Sequence, residues 1–322
     1  MKWIKHPILL NYYLTYRCNA KCSFCDIWEK PSPYADKNTV FNNLEQARRI
    51  GVKIVDFTGG EPLLHQDLSA FLEKAKSLNM ITTVTTNTLL YPKYAYKLQG
   101  KIDMLHFSLD SADKEKHNSL RGVKCFDSVI ESIKVAKSLG ERPDIIFTVF
   151  EHNIDEIENV YYQITQPNHL ILILNPVFEY NQVGAYLSYQ VLEKLAKWGK
   201  KQGIYLNQAF LKLRKEGGNH IDNPVCRAGS STLVISPNNE LILPCYHLGK
   251  YAFSIKNNLY DLYHSQEVQS IVQLEGRLPE CEGCTINCYF QPSFATSLNS
   301  YFWQALPSTI KYTLEKWFYT HN

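Results

Sequence analysis

Three cysteines near the N-terminus, Cys18, Cys22 and Cys25, are spaced C-x3-C-x2-C. Three closely spaced thiolates on one short loop can hold one face of an iron–sulfur cluster. A four-iron cluster normally takes four cysteines, so a triplet leaves one iron open to hold something else. Zinc is the competing occupant. Structural zinc sites usually join a C-x2-C pair to a second pair, and here that second pair is far along the chain.

A second set follows. Cys226, Cys245, Cys281 and Cys284 are spaced C-x18-C-x35-C-x2-C, and Cys288 follows after three intervening residues. Four thiolates can fully ligate one four-iron cluster. Structural zinc is the alternative, because C-x2-C plus two more cysteines is also a zinc pattern. Cys288 is then surplus, or replaces one of the four. Cys125 stands apart and reads as an ordinary buried thiol.

These residues need a scaffold. From Ile8 to about Asn175, short apolar strands alternate with amphipathic helical patterns. The expected strands are Ile8–Leu14, Lys53–Phe57, Ile81–Thr85, Met104–Ser108, Ile145–Phe150 and Leu170–Leu174. Between them lie helices at Asn42–Ile50, Asp67–Leu78, Phe126–Leu139 and Ile154–Ile164. Such repetition implies parallel strands with right-handed crossovers. Six units are too few for a closed eight-unit barrel, so the expected class is α/β, a partial (β/α)6 TIM-like barrel over residues 1–205. Reactive groups gather at the carboxyl ends of parallel strands. The cysteine loop, Gly59–Pro62, Asn87, Ser108, Asp110 and Asn175 all fall there. Tyr16, Glu179 and Tyr180 share that end by position alone, and no general base is nominated.

After a helix at about Tyr189–Gln202 the rhythm changes. A hairpin is expected at Thr232–Ser236 and Glu240–Leu243, turning at Pro237-Asn238-Asn239. A helix at about Leu259–Leu274 leads to the last cysteines. This gives a small domain over 206–298 and a helical tail over 299–322.

The run Cys18-x3-Cys22-x-Phe24-Cys25, with Phe24 in the aromatic place, resembles the signature of the radical S-adenosylmethionine (radical SAM) superfamily. Thr58-Gly59-Gly60-Glu61-Pro62, after the second strand, resembles that family's GGEP motif. The resemblance implies a four-iron cluster on Cys18, Cys22 and Cys25, whose open iron chelates the amino and carboxylate groups of S-adenosylmethionine. An electron from the reduced cluster then yields a 5′-deoxyadenosyl radical. It further implies that Gly59 and Gly60 let backbone approach the methionyl amino group, with Glu61 and Pro62 shaping the turn. Ser108 and Asp110 look like ribose contacts. Arg121 is either a bidentate fork for the methionyl carboxylate or a surface ion pair. Asn87 and Asn175 either touch the ligand or cap loops.

The second cysteine set, with Cys226-Arg227-Ala228-Gly229 and Leu243-Pro244-Cys245, resembles the SPASM or shorter twitch auxiliary-cluster domains. That implies an auxiliary four-iron cluster, an external electron donor such as flavodoxin or ferredoxin, and oxidation or radical bond formation.

Composition sets bounds. A net charge of +3 over 322 residues is too small for a general nucleic-acid binder. Nine cysteines without a signal peptide point to a reduced cytoplasm. No run of about 20 apolar residues is present. Tyr186–Glu216 carries seven basic residues against two acidic ones. Ser308–Tyr319 puts Ile310, Leu314, Trp317 and Phe318 on one helical face. Together these fit either a peripheral contact with anionic lipid or, as preferred here, a solvated basic face and a tail docked through that stripe.

The expected function is a radical SAM oxidoreductase that abstracts hydrogen from a small-molecule or lipid-like substrate, with an auxiliary cluster assisting. A maturase acting on a ribosomal peptide is the second reading. A non-catalytic redox carrier or sensor is the third, disfavoured because a carrier needs no nucleoside pocket.

Overall fold

The computed structural model describes residues 3–178, 186–256 and 258–319. Glu179 and Tyr180 lie outside the described residues. Six parallel strands form the frame: β1 (Leu9–Thr15), β2 (Ile54–Gly59), β3 (Ile81–Thr86), β4 (Met104–Ser108), β5 (Asp144–Val149) and β6 (Leu172–Pro176). They pair in sequence order, and a short β7 (Ile204–Tyr205) extends the far edge. This is the partial (β/α)6 barrel expected from the strand–helix rhythm. Each strand alternates between two environments. Leu10, Val55, Phe57, Val84 and Phe107 are buried under the outer helices. Asn11, Tyr13, Asp56, Thr83 and His106 alternate with them on the opposite, interior face.

The C-terminal part continues the same sheet. The strands β8 (Thr232–Ile235), β9 (Glu240–Leu243) and β10 (Tyr251–Ser254) make an antiparallel meander. Its first strand pairs parallel with β1, Leu9 opposite Thr232. This long-range pairing has no local sequence signal. The loop after β9, with Cys245, folds over so that Tyr246 meets Tyr13 and Tyr16 at the end of β1.

Several helices escaped the periodicity reading, among them Tyr91–Leu98, Lys114–Arg121, Gln208–Lys215 and Asn287–Thr296. The helix expected over Leu259–Leu274 is split into Leu259–His264 and Gln266–Val272. Ser265 divides them by accepting from Val268 N, which starts a new helix.

The C-terminal helix, Ser300–Phe318, corrects one expectation. It docks through Tyr301, Ala305 and Ser308, which are buried. Tyr312 Oη and Lys316 Nζ each reach the buried Asp144 at 2.6 Å, and Lys311 Nζ donates to the carbonyls of Lys201 and Ile204. Ile310, Leu314, Trp317 and Phe318 instead face outward, 50–70% exposed. Buried polar anchors outcompete the apolar stripe for the inner face. In the basic stretch, Lys212 pairs with Glu216, Lys215 with Glu193 and Lys194 with Asp155, while Arg214 is half-buried. Among the described residues no helix is long and apolar enough to cross a membrane.

Candidate active site

The cysteine loop leaves β1 and is held by backbone rather than by regular structure. Lys21 N donates to Arg121 O at 3.1 Å, and Ser23 N to Leu120 O at 3.0 Å. Gly122 lies beneath, with φ +63°; a Cβ there would stand 2.2 Å from Lys21 O. Leu120-Arg121-Gly122 is thus the platform under the three cysteines. Phe24 packs against Phe150, ring centroids 5.1 Å apart, and the Arg121 guanidinium lies over its ring at 5.2 Å.

Gly59 and Gly60 are needed for close packing. A Cβ on Gly59 would meet Thr15 O at 2.0 Å, and one on Gly60 would meet Arg17 O at 2.1 Å. Gly60 N and Glu61 N donate to those same carbonyls. The turn is therefore locked to the start of the cysteine loop, a reason for two glycines that the sequence reading had assigned to ligand approach. Glu61 is buried and acts as a brace. One of its oxygens accepts from Leu63 N and Thr86 Oγ1, the other from Asn87 N at 2.9 Å. Burial pushes its carboxyl up to about 7. Pro62 begins the short turn that follows. Asn87, fixed by that brace, donates from Nδ2 to Asn19 Oδ1 at 2.7 Å and lies 3.8 Å from Cys18 Sγ.

Asp110 departs from its expected place. Its side chain is fully buried. Oδ2 accepts from Arg121 Nε at 2.7 Å and Oδ1 from Thr148 N at 2.9 Å. With both oxygens committed inside the protein, Asp110 orients Arg121 rather than facing a ribose. Arg121 is itself buried, so the surface ion-pair reading is set aside. Its Nη1 is 3.9 Å from Cys22 Sγ, a cation beside a thiolate position. Ser108 ends β4, buried, opposite Ile146.

The second cysteine set gathers around Asn219, which the sequence reading missed. This fully buried amide accepts at Oδ1 from Val225 N and Cys226 N, both at 3.1 Å. Its Nδ2 donates to Gly276 O at 2.8 Å and Cys281 O at 3.1 Å, and its backbone N to Cys284 O at 3.0 Å. Arg214, also missed, donates to the carbonyls of Pro176, Val177 and Thr285 and to Asn287 Oδ1. Burial lowers its pKa to about 10, while neighbouring Cys284 favours the cation. Asn175, at the end of β6, accepts from Asn287 Nδ2 at 2.7 Å. That bond ties the barrel to the cysteine-bearing segment.

The donor sets have the chemistry of thiolate clusters. Burial pushes the Cys18 and Cys245 thiols up to about 12, and neighbouring sulfurs push them further the same way. Cys18 feels Cys22 and Cys25; Cys226 feels Cys284 and Cys245; Cys245 feels Cys284 and Cys281. Sulfurs that repel one another in a buried place call for a cationic centre between them. Buried, neighbouring thiols are the ligand type of an iron–sulfur cluster. Cys288 is exposed and lies near Asp56, Tyr13 and Tyr289. Cys125 is buried, 3.3 Å from His117 Nε2.

An aromatic wall stands between the two sets. Tyr13 stacks on Tyr246 at 4.3 Å, Tyr16 lies against both, and Tyr246 N donates to Tyr289 Oη at 2.9 Å. Cys25, Cys245 and Cys284 pack against the same apolar cluster as Tyr13 and Tyr289.

Residues 12–163 match the family model of the radical SAM superfamily. Among solved structures, the chain is similar to Streptococcus suis SuiB bound to S-adenosylmethionine, with TM-score 0.67 and 20% identity over 82% of this chain and 67% of that one. Similarity to Streptococcus suis SuiB bound to precursor peptide SuiA gives TM-score 0.69 and 19% identity over 83% and 66%. Native anSMEcpe with bound AdoMet and Cp18Cys peptide gives 0.65 and 17% over 96% and 99%. The chain thus spans about two thirds of SuiB, and at these identities the likeness is one of fold. With the cysteine triplet, the Gly59–Pro62 turn and the family match on one barrel mouth, residues 12–163 form a radical SAM domain, whose cofactors are a four-iron cluster and S-adenosylmethionine.

Proposed function

We propose that the chain is an oxidative radical SAM enzyme of the SPASM/twitch kind, with an auxiliary four-iron cluster on Cys226, Cys245, Cys281 and Cys284. The observation that carries this is the shared wall: Cys25 of the first set and Cys226, Cys245 and Cys284 of the second pack on one apolar and aromatic cluster. Cys18, Cys22 and Cys25 hold the radical-generating cluster, which when bound supplies the electron that cleaves S-adenosylmethionine. Arg121, oriented by Asp110, supports Cys22; Asn87, oriented by Glu61, supports Cys18. The GGEP turn and Leu120–Gly122 hold the loop in place. The interior bounded by Tyr13, Asp56 and Cys288 would hold the reacting part of the substrate, and a cluster held by Cys226, Cys245, Cys281 and Cys284 would supply a nearby electron acceptor.

The substrate we favour is a peptide segment, the second of the readings made from sequence. The fold neighbours bound to SuiA and to Cp18Cys peptide support it; a small or lipid-like molecule is the alternative.

The test uses anaerobically reconstituted protein and a strong reductant. It should cleave S-adenosylmethionine to 5′-deoxyadenosine and bind about eight irons, two four-iron clusters. Replacing Cys18, Cys22 and Cys25 with Ala should abolish cleavage and leave about four irons. Zinc without iron in that variant would refute the auxiliary cluster. For the substrate class, short peptides carrying deuterium on side-chain carbons should pass label to 5′-deoxyadenosine; transfer from small metabolites alone would refute the peptide reading.

A further inference from the structure

The Ser300–Phe318 helix is inverted relative to an ordinary surface helix, which buries its apolar stripe and shows charge to solvent. Its three charged residues are Lys311, Glu315 and Lys316, and all three turn inward. Lys311 donates to the carbonyls of Lys201 and Ile204, Lys316 reaches the buried Asp144, and Glu315 accepts from Gly203 N. None of the exposed positions of the helix carries a charge. At 3.6 residues per turn, Trp303, Pro307, Ile310, Leu314, Trp317 and Phe318 fall within an arc of about 100°, and all six are exposed. Trp303 and Trp317 stand about 21 Å apart along the axis. Trp3, also exposed, extends the stripe through its edge contact with Phe302, ring centroids 6.3 Å apart.

A continuous exposed apolar stripe marks an interaction surface, and the charges that border it identify the occupant. Glu315 is matched by Lys311 and Asp144 by Lys316. Lys200 and Lys201 sit beside the helix, because Lys201 O accepts from Lys311, and Arg142 does so because its carbonyl accepts from Lys316. Those three remain as net positive charge along the edge; Glu141, next to Arg142, is turned to Gly100 N. A basic border around an uncharged aromatic face is complementary to anionic headgroups above acyl chains. Tryptophans at both ends of the stripe suit the headgroup level. A second copy of this chain fits less well: the face offers no acid to meet that border, and none of the flanking opposite charges that set register between paired helices. The helix crosses the entry ends of β5 and β7, at Asp144 and Ile204. A bilayer against it leaves the barrel mouth, at the opposite strand ends, open.

We propose that this face docks the protein on an anionic phospholipid bilayer. The stripe from Trp303 to Phe318 lies in the plane of the interface, and Arg142, Lys200 and Lys201 meet the headgroups. The proposal depends neither on the substrate class nor on the auxiliary cluster.

The experiment is co-sedimentation of the full-length, cluster-loaded protein with vesicles of equimolar phosphatidylglycerol and phosphatidylcholine, and with phosphatidylcholine vesicles alone. Wild type should bind the anionic vesicles at least about tenfold more tightly, through three basic residues near the headgroups. Added salt should narrow that difference. Leu314→Ser with Trp317→Ser should weaken binding to anionic vesicles at least about tenfold, by removing two apolar side chains from the interface. Ile310→Asp puts one charge in the middle of the stripe and decides the matter if the double variant melts below wild type. Lys200→Glu should weaken binding to anionic vesicles about tenfold and leave binding to phosphatidylcholine unchanged. Light scattering without lipid records the mass of wild type and double variant. No co-sedimentation with anionic vesicles at low salt, no preference over phosphatidylcholine, or wild-type affinity in both stripe variants overturns the proposal. A wild-type dimer that the double variant splits, with no vesicle binding, also overturns it and assigns the face to a second copy.

Discussion

Asp110 holds Arg121 by a single buried contact, Oδ2 to Nε at 2.7 Å, and Arg121 in turn reaches towards Cys22. The backbone carbonyl of Arg121 accepts from Lys21 in the cysteine loop. One ion pair therefore fixes both the platform and a cation beside a cluster ligand. Asp110→Asn keeps the Oδ1 acceptor for Thr148 but puts an amide against the Arg121 donor and leaves the guanidinium unpaired. Removing one partner of a buried pair costs about 3–5 kcal/mol. The variant should melt well below wild type and retain fewer irons after reconstitution. An unchanged melting temperature would show that Arg121 finds its support elsewhere.

Asp56 faces the barrel interior, where Thr83 Oγ1 donates to it at 3.3 Å. Burial pushes its carboxyl up to about 7, so the folded protein holds a proton there that the unfolded chain releases at about 4. Its contribution is fully present below the unfolded value and is lost as pH rises from about 4 through about 7. Asp56→Asn removes that dependence. Its stability relative to wild type should rise between pH 5 and pH 8, by about 1–2 kcal/mol once hydration of the open interior is allowed for. Thermal unfolding at both pH values measures this; parallel curves would place the titration on another group.

Cys288 is exposed and lies near Asp56, Tyr13 and Tyr289. In a Cys18/Cys22/Cys25→Ala background, Cys288→Ala should keep about four irons, whereas Cys281→Ala should lose or degrade the auxiliary cluster. Iron analysis with the cluster's visible absorbance reads both. Loss on Cys288→Ala with retention on Cys284→Ala would replace Cys284 in the ligand set.

Much of this site could be read from sequence because its markers are contiguous. Cys18-x3-Cys22-x2-Cys25 and Gly59–Pro62 are local strings, and the six strand positions follow from local apolar runs. What escaped is long-range. Asn219 matters through bonds to residues 57 and 62 positions away, and nothing in Gly217-Gly218-Asn219-His220 marks it. Arg214 counts as surface charge until its five side-chain hydrogen bonds are seen. Asp110 reads as a ligand contact by its place at a strand end, but its partner Arg121 lies 11 residues on and across a helix. Pairing of β8 with β1 joins segments over 200 residues apart, beyond any periodicity.

The C-terminal helix shows the same limit in its simplest form. Periodicity identifies the stripe of Ile310, Leu314, Trp317 and Phe318 but not the direction it faces. The structure turns it outward and docks the helix through Tyr312 and Lys316 on Asp144. Substituting Leu314 and Trp317 with Ser together should therefore change stability little, each within about 0.5 kcal/mol as for other surface sites. Lys316→Ala should cost about 3–5 kcal/mol, since it strips a cation from a fully buried carboxylate. Thermal melts of the two variants decide the matter. A large loss from the Leu314/Trp317 double variant, with Lys316→Ala near wild type, would mean the helix docks through its apolar stripe.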